Sequence, residues 1–133
     1  MNQKFFFQAE TDKSFDNVIV DLKKSIENHG FSVLSVIDMQ KKFQSIGKDS
    51  KAISIVQLCN AEMSYHAISM SKNMVCMMPK DINVYEDENN KVKLVFMRAS
   101  SDMLEEAFPN MNISELSQQV GQTLQTIIEE AIV

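Results

Sequence analysis

Apolar and polar residues along this chain alternate in two rhythms, one of period two and one of three to four. Lys4 to Glu10, with Phe5-Phe6-Phe7 between polar flanks, reads as a first strand. Ser14 then stands where a helix N-cap belongs, because Phe15, Val18, Ile19, Leu22 and Ile26 recur at helical spacing behind it. That helix stops at His29-Gly30, where Gly30 suits the left-handed residue that closes many helices. Phe31 to Asp38 is a β-rich run, apolar on both faces in its middle, and Met39, Phe43 and Ile46 mark a short helix ending at Gly47.

Ala52 to Leu58 is the clearest buried strand, with Ile53 and Ile55 on one face and Val56 and Leu58 on the other. Asn60 follows as N-cap of a second helix, with Glu62 in its first turn, where a negative charge is favoured. The helix runs to about Met70 and Ser71-Lys72-Asn73 ends it. Ile82 to Glu86 and Val92 to Phe96 alternate as strands, and the polar Asp87-Glu88-Asn89-Asn90 makes them a hairpin. A turn of helix from Met103 to Phe108 is cut off by Pro109. For the last helix, Asn112 and Glu115 form a capping-box pattern and Met111 with Leu116 a staple. Ile113, Leu116, Val120, Leu124, Ile127 and Ala131 draw one apolar stripe along it. The order of elements predicts a single α+β domain over residues 1–133, a two-layer sandwich with helices on one face of a mixed, largely antiparallel sheet.

Composition narrows the function more than the fold. A chain of 133 residues with 44% hydrophobic positions fills one core without staples. A net charge of −5 and lysines scattered as pairs, Lys23-Lys24 and Lys41-Lys42, argue against a nucleic-acid partner. Nowhere is there an apolar run long enough for a signal peptide or a membrane helix, and the only cysteines are Cys59 and Cys76. A cytoplasmic protein with no membrane contact and no disulfide is therefore expected. Ten methionines and no tryptophan point to an adaptable core or contact surface.

Two segments carry a family resemblance. Leu58-Cys59-Asn60-Ala61-Glu62-Met63 is similar to the cysteine-asparagine-proline turn of the bacterial and archaeal domain of unknown function family 302 (DUF 302). Met77-Met78-Pro79-Lys80-Asp81-Ile82-Asn83-Val84-Tyr85-Glu86-Asp87 resembles that family's proline-led strand and acidic hairpin. With the helix end at Gly30-Phe31, the resemblance spans about Ser14 to Met97 and leaves the last helix unmatched. Ala61 stands where the family often has proline, and Lys80 where many members have a second cysteine. Any chemistry that uses such a thiol pair is not open to this chain in the same form. The resemblance implies a small α/β fold, a homodimer and no established activity.

The candidate site residues are Cys59, Asn60, His66 and Lys80. Cys59 leaves a strand just before a helix N-cap, where amides and dipole favour a thiolate. Its alternative role, the preferred one, is that of a small buried residue continuing the Ile53-Ile55 face. A Cys59–His66 catalytic pair is rejected, since six further helical positions put His66 roughly 9–10 Å along the axis. His29 is read as complementing the negative end of its helix. Met63, His66 and Met70 share a helical face and match copper(I) in ligand type, but core or dimer contact is the simpler account, and no metal or other cofactor is expected. Lys80 beside Pro79 offers a point charge for an anion or, if desolvated, a nucleophilic amine, but a solvated lysine at a strand start is the simpler account. Glu86-Asp87-Glu88 lacks calcium-loop spacing, and Gly30, Gly47 and Gly121 lie too far apart for a phosphate loop.

Two function classes follow. The first is a homodimeric, non-catalytic or accessory module that meets a small ligand or partner near the 59–66 turn and the 76–80 segment. The second is a thiol-dependent enzyme or redox or metal handler using Cys59. The dimer is expected to use the last helix, with Gly121 admitting a second backbone, or the Met-rich face.

Overall fold

A computed structural model describes residues 2–133, over which five strands, five α-helices and one 3-10 helix alternate. Strand β1 (Phe6–Thr11) leads into α1 (Phe15–Asn28), then β2 (Ser32–Asp38) and the short α2 (Met39–Ser45). Strand β3 (Ile53–Cys59) is followed by α3 (Ala61–Met70) and the 3-10 helix (Lys72–Met77). The hairpin β4 (Lys80–Glu86) and β5 (Val92–Met97) leads to α4 (Ser101–Ala107) and the long α5 (Ile113–Ala131). The sheet runs β1-β5-β4-β3-β2, and every pairing in it is antiparallel. The α+β outline read from the sequence is thus the observed one, with no parallel pair among the described residues.

Local chemistry accounts for most element boundaries. Ser14 accepts a hydrogen bond from the Asn17 amide at 3.2 Å and caps α1. At the other end Gly30, at φ +80°, lets its own amide bond Glu27 and the Phe31 amide bond Ile26, the two bonds of a Schellman closure. His29 reaches across to Glu130 of α5 at 2.8 Å, so it ties two helix ends together as well as closing its own. In the β4–β5 turn Asp87 accepts from the amides of Asn89 and Lys91. These bonds, led by that of Lys91, hold its carboxyl below the ordinary value. The acidic tip is therefore a turn device.

One face of the sheet carries the main core. Val56 and Leu58 of β3, Ile82 and Val84 of β4, and Val92, Leu94 and Phe96 of β5 are all buried there. Val18, Leu22 and Ile26 of α1 and Leu124, Ile127 and Ile128 of α5 close over them. Each such side chain contributes about 1.5–3 kcal/mol. Ser25 of α1, also buried, donates to the Ile127 carbonyl at 2.7 Å and so ties the two helices without an unsatisfied hydroxyl. A second, smaller core joins Ala67 of α3, Met74 of the 3-10 helix, Leu104 of α4 and Ile113 of α5.

Several expectations need correction. Ile53 and Ile55 are only half-buried, so β3 is fully covered on one face alone. The segment after α3 continues as the 3-10 helix, and β4 begins at Lys80 rather than Ile82. Asn112 is in the left-handed region at φ 44° and makes no side-chain cap bond, so the capping box at α5 does not form. A β-carbon at Gly121 would make ordinary contact, 3.6 Å, with Nη1 of Arg98.

Candidate functional site

The corner between β3 and α3 is built by Asn60. Its Oδ1 accepts from the Met63 amide at 3.0 Å, the N-cap bond expected from the sequence. Its Nδ2 donates to the carbonyl of Gly30 at 3.2 Å, so the same side chain fastens the corner to the end of α1. The strand end just before it projects Cys59, half-buried, with Sγ 3.0 Å from Oγ of Ser64 one turn into α3.

Beside this corner lies a cavity of about 80 Å³, lined by Cys59, Asn60, Ser64 and Lys80 among apolar groups. Its walls come from both cores: Phe31, Leu58 and Val120 from the main one, Ala67, Met74 and Leu104 from the smaller one. Met63, Met77 and Met78 complete the apolar lining. The cavity therefore sits on the seam between two hydrophobic clusters that α3 and α5 join. Lys80 enters it because β4 alternates: Ile82 and Val84 face the core, and Lys80 shares their parity opposite Leu58. Burial lowers the amine's pKa from the ordinary lysine value, partly offset by Asp81.

Three of the four residues singled out from the sequence, Cys59, Asn60 and Lys80, thus meet on one cavity. His66 does not; it is exposed on the outside of α3 and lines an adjoining groove with Tyr65 and Ser69, which shares Asn60, Met63 and Leu116 with that cavity. The Met63-His66-Met70 face is split accordingly, Met63 turning inward and Met70 outward. Cys76 is exposed on the 3-10 helix, away from the lining. No group of three His, Cys, Asp or Glu side chains is arranged to hold a metal ion among the described residues.

A second cavity, of about 230 Å³, adjoins the first, and Lys80, Ser117 and Val120 line both. Here Arg98 enters, with Gln118, Gln122 and Gln125 from α5. Its guanidinium lies 5.3 Å from the Phe96 ring centre and 5.8 Å from that of Phe7, and Nη2 donates to Oε1 of Gln125 at 3.0 Å. Sequence reasoning missed Ser64, Arg98 and the α5 glutamines. The one available signal was that Lys80 and Arg98 stand equally far from the hairpin turn on the core-facing parity.

No helix is long and apolar enough to cross a membrane among the described residues. No curated protein matches the chain significantly. A solved structure does: an uncharacterized conserved protein DUF302 from Bacillus stearothermophilus, 20% identical, covers 96% of this chain and 98% of its own with a TM-score of 0.85. At that identity the likeness establishes the fold alone. The family model described as domain of unknown function DUF302 matches residues 7–131, beyond the Ser14–Met97 span at both ends and with all of α5 included. That match runs through the Cys59-Asn60 corner, β4 and the helix that closes both cavities, and on it the chain belongs to the DUF302 family.

Proposed function

We propose that this domain is a binding or accessory module that takes a small organic ligand into the seam cavity and performs no catalysis of its own. The observation that carries the reading is the convergence of Cys59, Asn60 and Lys80 on one apolar cavity. Mostly hydrophobic walls with a few polar anchors are the usual make-up of a small-molecule site. The lining offers neither carboxylate nor imidazole to move a proton. Volume sets the ligand's scale. An engineered cavity of about 150 Å³ takes benzene, so one of about 80 Å³ suits an apolar group of about three or four carbons.

Homodimerisation belongs to the same reading. The apolar stripe of α5 is spent inside the two cores, but Tyr65 and Met70 of α3 and Val75 of the 3-10 helix are exposed. They supply the contact surface that the Met-rich face was expected to provide. Sedimentation at micromolar concentration tests it, and a particle of 15.1 kDa removes the dimer.

Methionine methyls report on the cavity directly. With 13C-methyl methionine, 1-butanol or butanoate is expected to shift the signals of Met63, Met74, Met77 and Met78, which line it. Met103, exposed and lining neither this cavity nor the one beside it, is expected to stay in place. If neither probe moves the four cavity methyls, the binding reading is wrong. A thiol function is the second reading, favoured by the Cys59–Ser64 contact at the cavity wall. It gains if Cys59, although half-buried, reacts with iodoacetamide faster than the exposed Cys76, and it falls if Cys59 is inert.

A further inference from the structure

The polar cavity beside the seam is made by the parting of two strands. Residues of β4 and β5 pair from Glu86 with Val92 to Asn83 with Val95 and no further. Strand β4 nevertheless starts at Lys80 and β5 runs on to Met97. Below the last pair the strands face a gap, and the 230 Å³ cavity lies there under α5. Lys80 and Arg98 both fall on the parity that faces the helices, so both cations border this gap.

Neither is ion-paired: among the described residues the ion pairs involve Lys13, His29, Lys91 and Lys93. Asp81 offsets only part of the cost of the Lys80 charge. No carboxylate lines either cavity, in a chain that carries 18 acidic residues against 13 basic ones. Other polar groups there are hydroxyl and amide: Ser117, Gln118, Gln122 and Gln125. Arg98 is also held in place. Two aromatic rings support its guanidinium and Gln125 takes one of its five donors. A guanidinium fixed in this way and left without a carboxylate is suited to a two-pronged grip on an oxyanion. Two cations on one cavity repel unless an anion lies with them.

We infer that the ligand of this domain is a small amphipathic oxyanion, its short apolar group in the seam cavity and its carboxylate or phosphate held by Lys80 and Arg98. Lys80, lining both cavities, marks where head meets tail. This rests on the small-ligand reading and adds the charge of the ligand to it.

The test compares three probes of similar tail length, butanoate, propyl phosphate and 1-butanol, by the methionine-methyl shifts. Native protein is expected to bind the better of the two anions roughly tenfold or more tightly than the alcohol, the worth of one charge-assisted hydrogen bond. Arg98→Gln is expected to remove that preference while leaving 1-butanol, whose seam cavity Arg98 does not line, within about twofold of native. Lys80→Met is expected to weaken the anions more than the alcohol. Whichever anion wins names the headgroup. Equal binding of alcohol and anions by native protein overturns the inference and leaves the cavity reading intact. An undiminished preference in Arg98→Gln overturns it as well, whether or not the lysine variant folds. Methyls that respond to none of the probes remove the cavity reading itself.

Discussion

At the scale of single residues, Lys80 sets binding against stability. Its amine has a lowered pKa because folding buries it, with Asp81 offsetting part of the effect. A base with a lowered folded pKa is bound more tightly to its proton in the unfolded chain, so stability rises with pH between the folded value and the unfolded one, about 10.4. Below the folded value the cost is fully present. Lys80→Met, similar in length and uncharged, is therefore expected to be more stable than native protein at pH 7. Its advantage should narrow as pH climbs toward 10. Urea midpoints at the two pH values measure this; a variant less stable at pH 7, or a gap that ignores pH, contradicts the burial argument. Cys59, Asn60 and Lys80 were legible in the sequence because each sits at a strand end or helix start, where local spacing fixes position. Ser64, Arg98 and Gln125 were not. Ser64 meets Cys59 only through the angle at which α3 leaves β3, and Arg98 meets Gln125 across 27 positions of chain. Such meetings depend on how helices cross the sheet, which no local pattern records.

At the scale of elements, hydrophobic rhythm located the strands and four of the five α-helices closely, and polar capping signals were less dependable. Ser14 and Asn60 cap as their positions imply, and Ser100 caps α4 through the Met103 amide at 3.1 Å although the pattern pointed only to Met103 onward. Asn112 breaks the rule. The chain turns back after Pro109, and Asn110 and Asn112 both take positive φ in that turn, at 64° and 44°. In the left-handed region the Asn112 side chain does not reach the first amides of α5, so Glu115 has no capping box to complete. Asparagine here serves as a residue that tolerates positive φ rather than as a cap. The two roles answer differently to substitution. Asn112→Gly is expected to raise stability by up to about 1 kcal/mol, since glycine carries no left-handed penalty. Asn112→Ala is expected to lower it by about 1 kcal/mol. Were a cap bond being lost, glycine would instead cost a few tenths. Thermal or urea unfolding of the pair decides between them.

At the scale of the molecule, the two cores are unequal, and the cavity lies between them. The main core spans the sheet, α1 and most of α5, whereas the smaller one holds only Ala67, Met74, Leu104 and Ile113 as buried members. Its helices α3 and α4 and the 3-10 helix between them are short, and each buries a single side chain. Regions with few buried contacts open locally at less cost than the whole chain unfolds. Helix α5 belongs to both cores, through Ile113 at its start and Leu124 to Ala131 further on, so the smaller core can loosen while α5 stays docked. Amide hydrogen exchange is expected to separate the two. Residues 61–77 and 101–107 should exchange at least tenfold faster than the core-facing stretches of β3, β4 and β5. A ligand in the seam touches both cores and binds only when they are closed against each other. At ten times its Kd it stabilises the closed state by about 1.4 kcal/mol, a roughly tenfold slowing. That slowing should appear in α3, the 3-10 helix and α4, and equally in central strands that open only with the whole molecule, since both openings release the ligand. Helix α2, which lines neither cavity, should not slow. Exchange that is equally slow in both regions without ligand would mean that the seam does not open by itself. Slowing in the strands alone, with α3, the 3-10 helix and α4 unchanged, would mean that the smaller core opens without releasing the ligand.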